Sequence, residues 1–536
     1  MRRFTGADLP ARVDLLVVGG GVTGAATARD AALRGLSVAL VEREDFAAGT
    51  SSRSTKLVHG GLRYLQSYQF KLVHESVRER ELMLELAPHL AAMRPFIYLL
   101  YEGDPESRAL LNLGLTFYDG FARVPWSRRH RMLSPARIAA LEPHLATEGL
   151  RGGGWYYDAL TDDARVTVDT LKSAAEAGAL IANHREVVGL VTERGRVVGA
   201  QVADRLGGED LEIRARLVLN TAGPWVDRVL GLQGPHTPLL RPTKGAHIVL
   251  RKADFPLEHA VFLRAPRDNR VVWPIPALDG EHVYIGTTDT YFDGPLDDVV
   301  ADEDDVAYLL EVANRTIPDA RVDPSHVVAS WAGLRPLVAP QGEGVAESSV
   351  PREHVIRPGP DGLLTMAGGK LTTARVMAAQ LVDAAAEVLA GDGVRGVPAS
   401  TTGKVPLSGG DPAAVFRAGR AITAVPEPVG GHWLARYGGN AEHLAALAAG
   451  PDATEIIGPG TLTRAEIAHA VEREMVKTLE DLLIRRVGTF FWSADGGLAA
   501  ADTVSRELAA HLGWSEAERT SQVAAYAERV RRNRPQ

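Results

Sequence analysis

Cysteine is absent from this sequence of 536 residues. Its absence excludes disulfide bonds, thiolate nucleophiles, cysteine-ligated zinc, iron–sulfur clusters and c-type haem attachment. Any redox chemistry must therefore rely on a bound organic cofactor or on a metal held by other side chains. We expect no resident metal.

Long apolar runs and an excess of positive charge are also missing. No uninterrupted apolar run approaches the roughly 18 to 20 residues that a membrane-spanning helix needs, although contact with a membrane surface stays open. Lysine plus arginine number 59 and aspartate plus glutamate 67, a net charge of −8, so no overall field attracts nucleic acid. Asp8 and Asp14 interrupt an N-terminal stretch that otherwise resembles a secretory signal, so we expect a cytoplasmic protein.

Composition predicts how the chain is divided. At about 150 residues per domain, the length favours three or four domain-sized units. The middle of the chain predicts mixed α and β structure with much antiparallel sheet, with strands expected at 187–191, 197–202, 217–220, 246–250, 271–274 and 282–286. A helix is predicted at 68–89, and the acidic run at 297–305 is interpreted as a solvated helix start. A stretch rich in Gly, Ala, Ser and Pro at about 391–410 precedes an almost wholly helical tail, which places a domain boundary there.

The first 42 residues read as a βαβ unit. Predicted strands at 13–18 and 36–41 flank an alanine-rich helix at 23–34. The loop GGGVTG at 19–24 joins the first strand to the helix, and Glu42 ends the second strand. Gly19 permits the tight turn, Gly21 lets the backbone approach a pyrophosphate and Gly24 allows close helix packing, while Glu42 accepts hydrogen bonds from a ribose. The pattern predicts a dinucleotide site without separating NAD from FAD.

Two later segments favour FAD. They are LVLNTAGPW at 217–225 and LLTMAGGKLTT at 363–373. Together with the first loop they resemble the three separated FAD-binding segments of the flavoprotein superfamily that includes D-amino-acid oxidase. A helix beginning near Leu371 is expected to aim its positive end at the flavin, which stabilises the anion formed when the ring accepts a hydride.

A longer motif gives a more specific resemblance. The segment TSSRSTKLVHGGLRYL at 50–65 is similar to the signature of the FAD-dependent, quinone-linked glycerol-3-phosphate dehydrogenases. The similarity continues through YYDALTDDAR (156–165), NTAGPWV (220–226), KGAHI (244–248), IGTTD (285–289), GLRPL (333–337) and GGKLTTAR (368–375). It covers about residues 12 to 380, and EMVKTLEDLLIRR (474–486) extends it into the tail.

This resemblance implies an α/β fold with a discontinuous arrangement. A Rossmann-like FAD-binding domain would consist of residues 1–88, 156–240 and 329–395. An antiparallel-sheet substrate domain would consist of residues 89–155 and 241–328. An all-helical C-terminal domain would occupy residues 396–536.

The resemblance also implies the residues of the site. The substrate contacts carried over are Arg63, Tyr64, His247, Thr287, Arg335, Arg352 and Lys370. The FAD contacts carried over are Gly19, Gly21, Gly24, Glu42, Thr50, Ser51, Ser54, Lys56, Leu57, His59, Val187, Gly223, Leu371 and Thr372. The match is weakest around Arg352, whose flanking residues are less diagnostic.

Chemistry favours the same cations. A phosphomonoester is close to a dianion at neutral pH and is bound best by planar donors that always carry charge. Arg335, Arg352 and Arg63 would supply such donors, with Lys370 as a compact fourth cation.

Oxidation of a secondary alcohol also requires a base that takes the hydroxyl proton, and histidine is the ordinary choice. His247 is the first candidate; His59 is the second, because it would also fit against the flavin. A histidine that only packs in the core remains the alternative for either. Arginine is a poor base, so Arg335 is assigned to binding and to stabilising the developing alkoxide.

The implied activity is oxidation of sn-glycerol 3-phosphate to dihydroxyacetone phosphate by hydride transfer to flavin N5, with electrons passed to quinone. A glycerol-3-phosphate oxidase that uses oxygen and releases peroxide is the nearest alternative, and a flavin-binding regulatory or scaffold protein a more distant one. Quinone chemistry implies peripheral contact with the cytoplasmic face of the inner membrane. The arginine-rich segment FARVPWSRRHR at 121–131 is a candidate for that contact. The resemblance also implies a homodimer.

Overall fold

The computed structural model describes residues 1–65, 69–122, 125–339, 353–450 and 452–534. The strands are β1 (Val13–Val18), β2 (Val38–Val41), β3 (Leu57–Val58), β4 (Ala91–Tyr101), β5 (Arg131–Leu133), β6 (Leu150–Thr161), β7 (Leu180–Ala182), β8 (Arg185–Glu193), β9 (Arg196–Asp204), β10 (Leu211–Asn220), β11 (Thr243–Arg251), β12 (Ala260–Arg264), β13 (Val271–Pro276), β14 (His282–Gly286), β15 (Thr290–Tyr291), β16 (Val327–Arg335), β17 (Val355–Pro358), β18 (Leu364–Ala367), β19 (Ile456–Gly458) and β20 (Leu462–Thr463). The helices are α1 (Val22–Leu33), α2 (Phe70–Leu86), α3 (Arg108–Ala122), α4 (Pro135–Leu141), α5 (Asp163–Glu176), α6 (Val226–Gly231), α7 (Glu303–Thr316), α8 (Ala374–Gly391), α9 (Pro412–Ala421), α10 (Val429–Tyr437), α11 (Ala441–Leu447), α12 (Arg464–Glu474), α13 (Thr489–Trp492), α14 (Leu498–Leu512) and α15 (Glu516–Arg532).

The first sheet has a parallel centre. Its strands run in the order β17-β18-β10-β1-β2-β7, and β9 and β8 extend it from β10. β1 lies parallel to both β2 and β10, so Val18 pairs with Val41 on one side and with Asn220 on the other. Leu15, Leu16 and Val17 are fully buried, as expected for a central strand covered on both faces. This arrangement confirms the Rossmann-like fold class.

The second sheet is mainly antiparallel, as expected for the substrate-binding part. Its order is β15-β11-β14-β13-β12-β4-β6-β3, with β16 also paired to β11 and β5 to β6. One pair, β12 with β4, is parallel. β3, the end of β6 from residue 156 onward and most of β16 belong to this sheet although the segment limits expected from the resemblance place them in the FAD-binding part. Those limits stay a prediction.

The tail from residue 400 onward is helical except for one hairpin. β19 and β20 form a two-stranded sheet within it. Gly460, at φ +70°, makes the reversal between them, because glycine adopts this conformation without a steric penalty.

Buried ion pairs fasten this tail to the first sheet. Asp45, four residues after the end of β2, receives Arg485 Nε at 2.6 Å and Arg486 Nη1 at 2.7 Å. Asp481 receives His184 Nε2 at 3.0 Å and Arg485 Nη2 at 2.9 Å. Asp45, His184 and Asp481 lie within reach of a common metal ion, but the arginines already occupy both carboxylates. We read this cluster as an internal salt-bridge network.

Several local predictions differ from the structure. The helix expected at 68–89 is α2, Phe70–Leu86. α3 was not predicted, although its sequence is apolar on both faces. The acidic run is only in part solvated: Asp302 caps α7, as expected, but Asp305 is buried and pairs with Lys244 Nζ at 2.7 Å. Across the described segments, no helix has the length and apolarity needed to cross a bilayer.

Candidate active site

A cleft of about 570 Å³ lies between the two sheets. The carboxyl ends of β1, β2 and β10 border one side, which is where ligands bind in open parallel sheets. Parts of β11 and β16 border the other side. Its volume falls within the usual range of small-molecule sites.

The glycine loop forms the tightest part of the cleft. Gly19 has φ +109° and Gly21 precedes the first turn of α1. A Cβ atom on Gly24 would collide with the carbonyl oxygen of Gly19, so only glycine lets the helix approach the strand this closely. Ser51 Oγ accepts the N–H of Val22 at 2.9 Å and ties the 50–52 turn to the start of α1.

Glu42 lies at the end of β2, beside the glycine loop. Its carboxylate accepts the N–H groups of Gly20 at 2.6 Å and Glu44 at 2.9 Å. Burial raises the pKa of this carboxyl, and the two backbone N–H groups work against that rise. Glu42 therefore presents a fixed hydrogen-bonding group to the cleft, as a ribose contact requires.

The start of α8 borders the opposite part of the cleft. A 3₁₀ turn, Leu371–Thr373, leads directly into α8, and Lys370 precedes the turn. Thr372 Oγ1 accepts the N–H of His59 at 3.3 Å. The N-terminal end of α8 therefore faces the cleft, where the partial positive charge of the helix favours an anion.

Arg335 ends β16 and is held in place by several acceptors. Its Nη1 donates to Asp289 Oδ1 at 2.8 Å, and its Nη2 donates to Thr287 Oγ1 at 2.9 Å and to the carbonyl of Thr288 at 3.0 Å. Arg335 and Thr287 both line the cleft. The guanidinium is therefore presented in one fixed orientation.

Lys370 and Tyr64 lie together nearby. The Lys370 ammonium is 4.0 Å from the centroid of the Tyr64 ring and 3.4 Å from Ser76 Oγ. The cation–π contact positions the ammonium while both side chains line the cleft.

His247 is buried on β11 beside the cleft. Its ring stacks on Trp331 with centroids 4.8 Å apart and an interplanar angle of 12°. Its Nε2 is 3.0 Å from Thr55 Oγ1. A Cβ atom on Gly286 would overlap the imidazole, so this glycine makes room for it. Burial, followed by the charges of Arg335 and Lys56, lowers the pKa of His247 well below 6.5, and the ring is neutral.

His59 differs from His247 in the hydrogen bonds that its ring makes. Its Nδ1 accepts the N–H of Gly61 at 3.1 Å. A ring nitrogen that accepts a backbone N–H carries no proton, so neutral His59 keeps its proton on Nε2. His59 is thereby a hydrogen-bond donor towards the cleft, which it lines.

Most of the residues expected from the sequence line this one cleft. They are Gly19, Gly21, Glu42, Thr50, Ser51, Ser54, Leu57, His59, Tyr64, Val187, Gly223, His247, Thr287, Arg335, Lys370, Leu371 and Thr372.

The remaining expected residues are placed elsewhere or are not described. Gly24 packs beneath the loop instead of lining the cleft. The Lys56 side chain is turned away, because its ammonium pairs with Asp163 Oδ1 at 2.7 Å. The side chain of Arg63 and the whole of Arg352 lie outside the described residues.

Sequence reasoning missed several residues that shape the cleft. Thr55 and Asp289 stand inside quoted motifs but were not singled out. Asp297 was assigned to the acidic run, yet it accepts Trp225 Nε1 at 2.7 Å and also pairs with Arg43 across the cleft mouth. The glycines of KGAHI and IGTTD were the available signal, because a glycine inside a strand indicates the close approach of another group.

Comparison with known proteins identifies the class. Residues 14–384 match the family model of FAD dependent oxidoreductases. Residues 400–519 match the model described as the C-terminal domain of alpha-glycerophosphate oxidase. The chain belongs to the FAD-dependent oxidoreductase family.

Individual relatives place the chain in a narrower group within this family. The aerobic glycerol-3-phosphate dehydrogenase of Staphylococcus haemolyticus is 38% identical over 517 residues, which cover 94% of this chain and 92% of that protein. The enzyme of the same name from Staphylococcus aureus strain USA300 is 37% identical over 529 residues, covering 96% and 93%. The crystal structure of glycerol-3-phosphate dehydrogenase from Bacillus halodurans complexed with FAD superposes with a TM-score of 0.82 at 33% identity, covering 98% of this chain and 96% of that one. Within its family, this chain groups with the aerobic glycerol-3-phosphate dehydrogenases.

The residues of the cleft fit FAD. The glycines of the loop carry no side chain where a pyrophosphate would approach, and Glu42 offers a carboxylate beside that loop, as a ribose contact requires. The start of α8 and the N–H donor of His59 border the part expected to receive the flavin. FAD is the cofactor of this family and of this chain.

Proposed function

We propose that this protein oxidises sn-glycerol 3-phosphate to dihydroxyacetone phosphate and passes the electrons to quinone. One observation carries the proposal: the cleft that contains the dinucleotide loop also contains Arg335, Lys370 and a neutral His247. When bound, FAD supplies the hydride acceptor, flavin N5. The side chains of this protein supply substrate binding, orientation and proton removal.

Arg335 and Lys370 are the proposed ligands of the substrate phosphate. An arginine offers paired N–H donors in a plane, which suits a phosphate dianion, and lysine adds a compact charge. Arg335 is already oriented by Asp289 and Thr287, so little rotamer freedom is lost when the phosphate binds. Arg63, Tyr64, Thr287 and Arg352 complete the proposed substrate set on the strength of the resemblance.

His247 is the proposed base in preference to His59. A base must have an unprotonated ring nitrogen available, and the backbone contact of Gly61 occupies the unprotonated nitrogen of His59. His247 is neutral, and a bound phosphate dianion beside Arg335 would raise its pKa by offsetting the nearby positive charge. Arg335 would also stabilise negative charge that develops on the substrate oxygen.

The proposed quinone acceptor agrees with an exposed apolar surface. Leu110, Leu113 and Phe117 lie on one face of α3 and are 55%, 52% and 45% exposed, while the opposite face is buried. Trp126, which is 81% exposed, and Phe70 lie in adjacent segments, with the Phe70 ring 6.1 Å from Phe117. We call these five residues the α3 patch.

Charge around the α3 patch suits an anionic membrane. Arg128, Arg129 and Arg131 are exposed beside Trp126, and the Arg129 guanidinium lies 4.6 Å from its indole ring. Apolar side chains bordered by arginines favour the interface of an anionic bilayer. We therefore propose peripheral membrane contact on the cytoplasmic side, where quinone would be reached. Homodimer formation is proposed on the resemblance alone, and light scattering of the purified protein would test it.

Anaerobic flavin bleaching tests the activity. Glycerol 3-phosphate is added to the FAD-loaded protein without oxygen, and a soluble quinone or air is then admitted to separate samples. Bleaching followed by rapid recovery with quinone and slow recovery in air is expected. Rapid recovery in air with release of peroxide would identify an oxidase instead, and absence of bleaching would overturn the substrate assignment.

Vesicle binding tests the membrane contact. Substitution of Leu110, Leu113 and Phe117 together by Ser should lower partitioning to phosphatidylglycerol vesicles by about tenfold or more, because buried apolar area is lost. Phe416→Ser is the matched control, since Phe416 is 68% exposed but lies on α9. Equal binding by both variants would refute the α3 patch as the contact.

A further inference from the structure

Thr55 borders the cleft together with the expected catalytic histidine, His247. It stands in the loop between the turn Thr50–Ser52 and β3, and it lines the cleft. Its Oγ1 is 3.0 Å from His247 Nε2. In the proposed function this hydroxyl has no role in substrate binding or proton removal.

The loop holds the Thr55 hydroxyl rigidly. On one side, Ser54 donates to Asp163 Oδ2 from both its N–H, at 2.9 Å, and its Oγ, at 2.7 Å. On the other side, Lys56 donates to Asp163 Oδ1. Asp163 is fully buried at the start of α5, so the segment on both sides of Thr55 is anchored to one fixed carboxylate. The position of Oγ1 is therefore set by the fold.

The surroundings of His247 leave one route for a proton. Its Nδ1 is buried and, among the described residues, has no hydrogen-bond partner. One ring face is covered by Trp331, and the Cδ2 edge lies against Gly286. The Nε2 is the nitrogen engaged by Thr55 Oγ1. Because Thr55 Oγ1 is the hydrogen-bond partner of Nε2 and also lines the cleft, its hydroxyl connects this nitrogen to the cleft.

We propose that the proton leaving the substrate hydroxyl reaches His247 through Thr55. The Thr55 O–H donates to unprotonated Nε2, and the substrate O–H donates to Thr55 Oγ1. As the hydride leaves the substrate carbon, the substrate proton moves to Oγ1 and the original threonine proton moves to Nε2. The substrate C–H bond and two O–H bonds break, and one O–H bond, one N–H bond and the carbonyl double bond form. The hydride would go to the acceptor that bound FAD supplies, and the other products are a carbonyl group and an imidazolium. This step rests on the proposed function, in which His247 is the final proton acceptor.

The charges around the imidazole fit a transient acceptor. Arg335 faces His247 from β16 and Lys56 from the Thr55 loop, and both oppose the imidazolium. Asp289 forms an ion pair with Arg335, and Asp163 forms one with Lys56, so each carboxylate offsets part of the effect of its cation on the imidazole. β14 contributes Gly286 and no charge at this point. The ring is therefore unprotonated before substrate binds and loses its proton again once the phosphate has left.

Three variants test the relay. The rate of anaerobic flavin bleaching is measured for Thr55→Val, Thr55→Ser and His247→Gln, each with its FAD content determined. Thr55→Val keeps the shape but not the hydroxyl, and its bleaching should be slowed about 100-fold or more, in the range lost with a proton-transfer group. Thr55→Ser should stay within about threefold of the wild type, because it keeps the hydroxyl.

A proton inventory separates a relay from a structural role. In mixtures of light and heavy water, the wild-type rate should curve with deuterium content because two protons move, whereas Thr55→Ala should give a straight line. Binding of 3-hydroxypropyl phosphate, which lacks the reacting secondary hydroxyl, should be unchanged in Thr55→Val. If Thr55→Val loads too little FAD, Thr55→Ala supplies the rate.

The outcomes separate this step from the proposed function. Wild-type rates in Thr55→Val, or a curved inventory in Thr55→Ala, would overturn the relay while a slow His247→Gln leaves the base assignment intact. A His247→Gln variant as fast as the wild type would overturn the base assignment and the relay with it. Failure of the wild type to bleach would overturn the proposed substrate and nothing specific to Thr55.

Discussion

Arginines lie in two regions of this molecule with different surroundings: they are buried between the first sheet and the helical tail, and Arg335 is half-buried in the cleft. At the interface between the first sheet and the helical tail, Asp45 receives Arg485 and Arg486, and Glu474 receives Arg165 Nη1 at 2.7 Å. In the cleft, the guanidinium of Arg335 donates to Asp289, to the hydroxyl of Thr287 and to the carbonyl oxygen of Thr288.

This difference separates a structural charge from a binding charge. At the interface, carboxylates balance the arginines within the chain: although burial opposes ionisation, Arg486 and Arg485 hold the pKa of Asp45 below its usual range. In the cleft, burial together with the positive charges of Arg335 and Lys56 lowers the pKa of His247. Arg335 and Lys370 line an open cleft, which suits an anionic ligand, whereas the arginines at the interface are enclosed by the protein. Removing a charge should therefore damage activity in one region and stability in the other.

Arg335→Ala should have the largest effect, and on catalysis. Loss of two charge-assisted hydrogen bonds to the substrate, about 2 kcal/mol each, should lower kcat/KM for glycerol 3-phosphate about 1000-fold. The initial slope of anaerobic bleaching against substrate concentration measures this. Arg241→Ala is the control, because Arg241 is exposed, lies two residues before β11 and stacks on Tyr291. Comparable losses in both variants would show that the effect is not local to the cleft.

Arg486→Met should lower stability and spare catalysis. It leaves the buried Asp45 with one arginine fewer, and breaking a buried pair costs about 3 kcal/mol or more. Urea unfolding with FAD in excess measures the free energy, while kcat per bound flavin should match the wild type. Arg519→Ala removes surface ion pairs with Asp502 and Glu516 and should lower the free energy of unfolding much less, because solvent screens exposed pairs. If Arg486→Met has the same free energy of unfolding as the wild type, the proposed difference between the interface and the cleft is wrong.

Gly286→Ala tests the fixed position of the base. The added methyl group would overlap the His247 ring, so the ring must move away from Thr55 and bleaching should slow about 100-fold. Gly391→Ala is the control, since a Cβ atom there meets open space. Wild-type bleaching by Gly286→Ala would contradict the assigned position of His247.

A pH effect of smaller size is expected in the tail. Burial lowers the pKa of His469 from 6.5 to about 4. Between these two pKa values, His469 is protonated in the unfolded chain and neutral in the folded chain. The free energy of unfolding therefore falls as the pH drops below about 6.5. The wild type should lose about 1–2 kcal/mol more than His469→Gln between pH 7 and pH 5, as measured by urea unfolding. Parallel losses would mean that other groups cause the acid sensitivity.

The parts of the fold that depend on local sequence were predictable. β1 was expected at 13–18 and is Val13–Val18; α1 was expected at 23–34 and is Val22–Leu33. A continuous apolar run, a glycine turn and an alanine-rich helix determine these elements within about 30 residues. The glycine loop and Glu42 could be assigned for the same reason.

Contacts between distant segments were not predictable from such patterns. Thr55 and His247 are separated by 192 positions, and nothing in either motif indicates that they meet. Lys56 was assigned to the cofactor, but its ammonium is used by Asp163, 107 positions away. Family resemblance supplied most of the site, and it transferred residue identities without the contacts that orient them.

The parallel centre of the first sheet has a consequence for the timing of biosynthesis. β1 needs β10 as its neighbour, and β10 needs β18, which together with Thr372 comes from a later part of the chain. A ribosome must therefore synthesise 372 of the 536 residues before the glycine loop and Thr372, which border different parts of the cleft, are both present. At about 5–20 residues per second this takes roughly 20 to 75 seconds. During that interval the nascent chain carries an incomplete parallel sheet, and flavin capture must wait until the sheet closes.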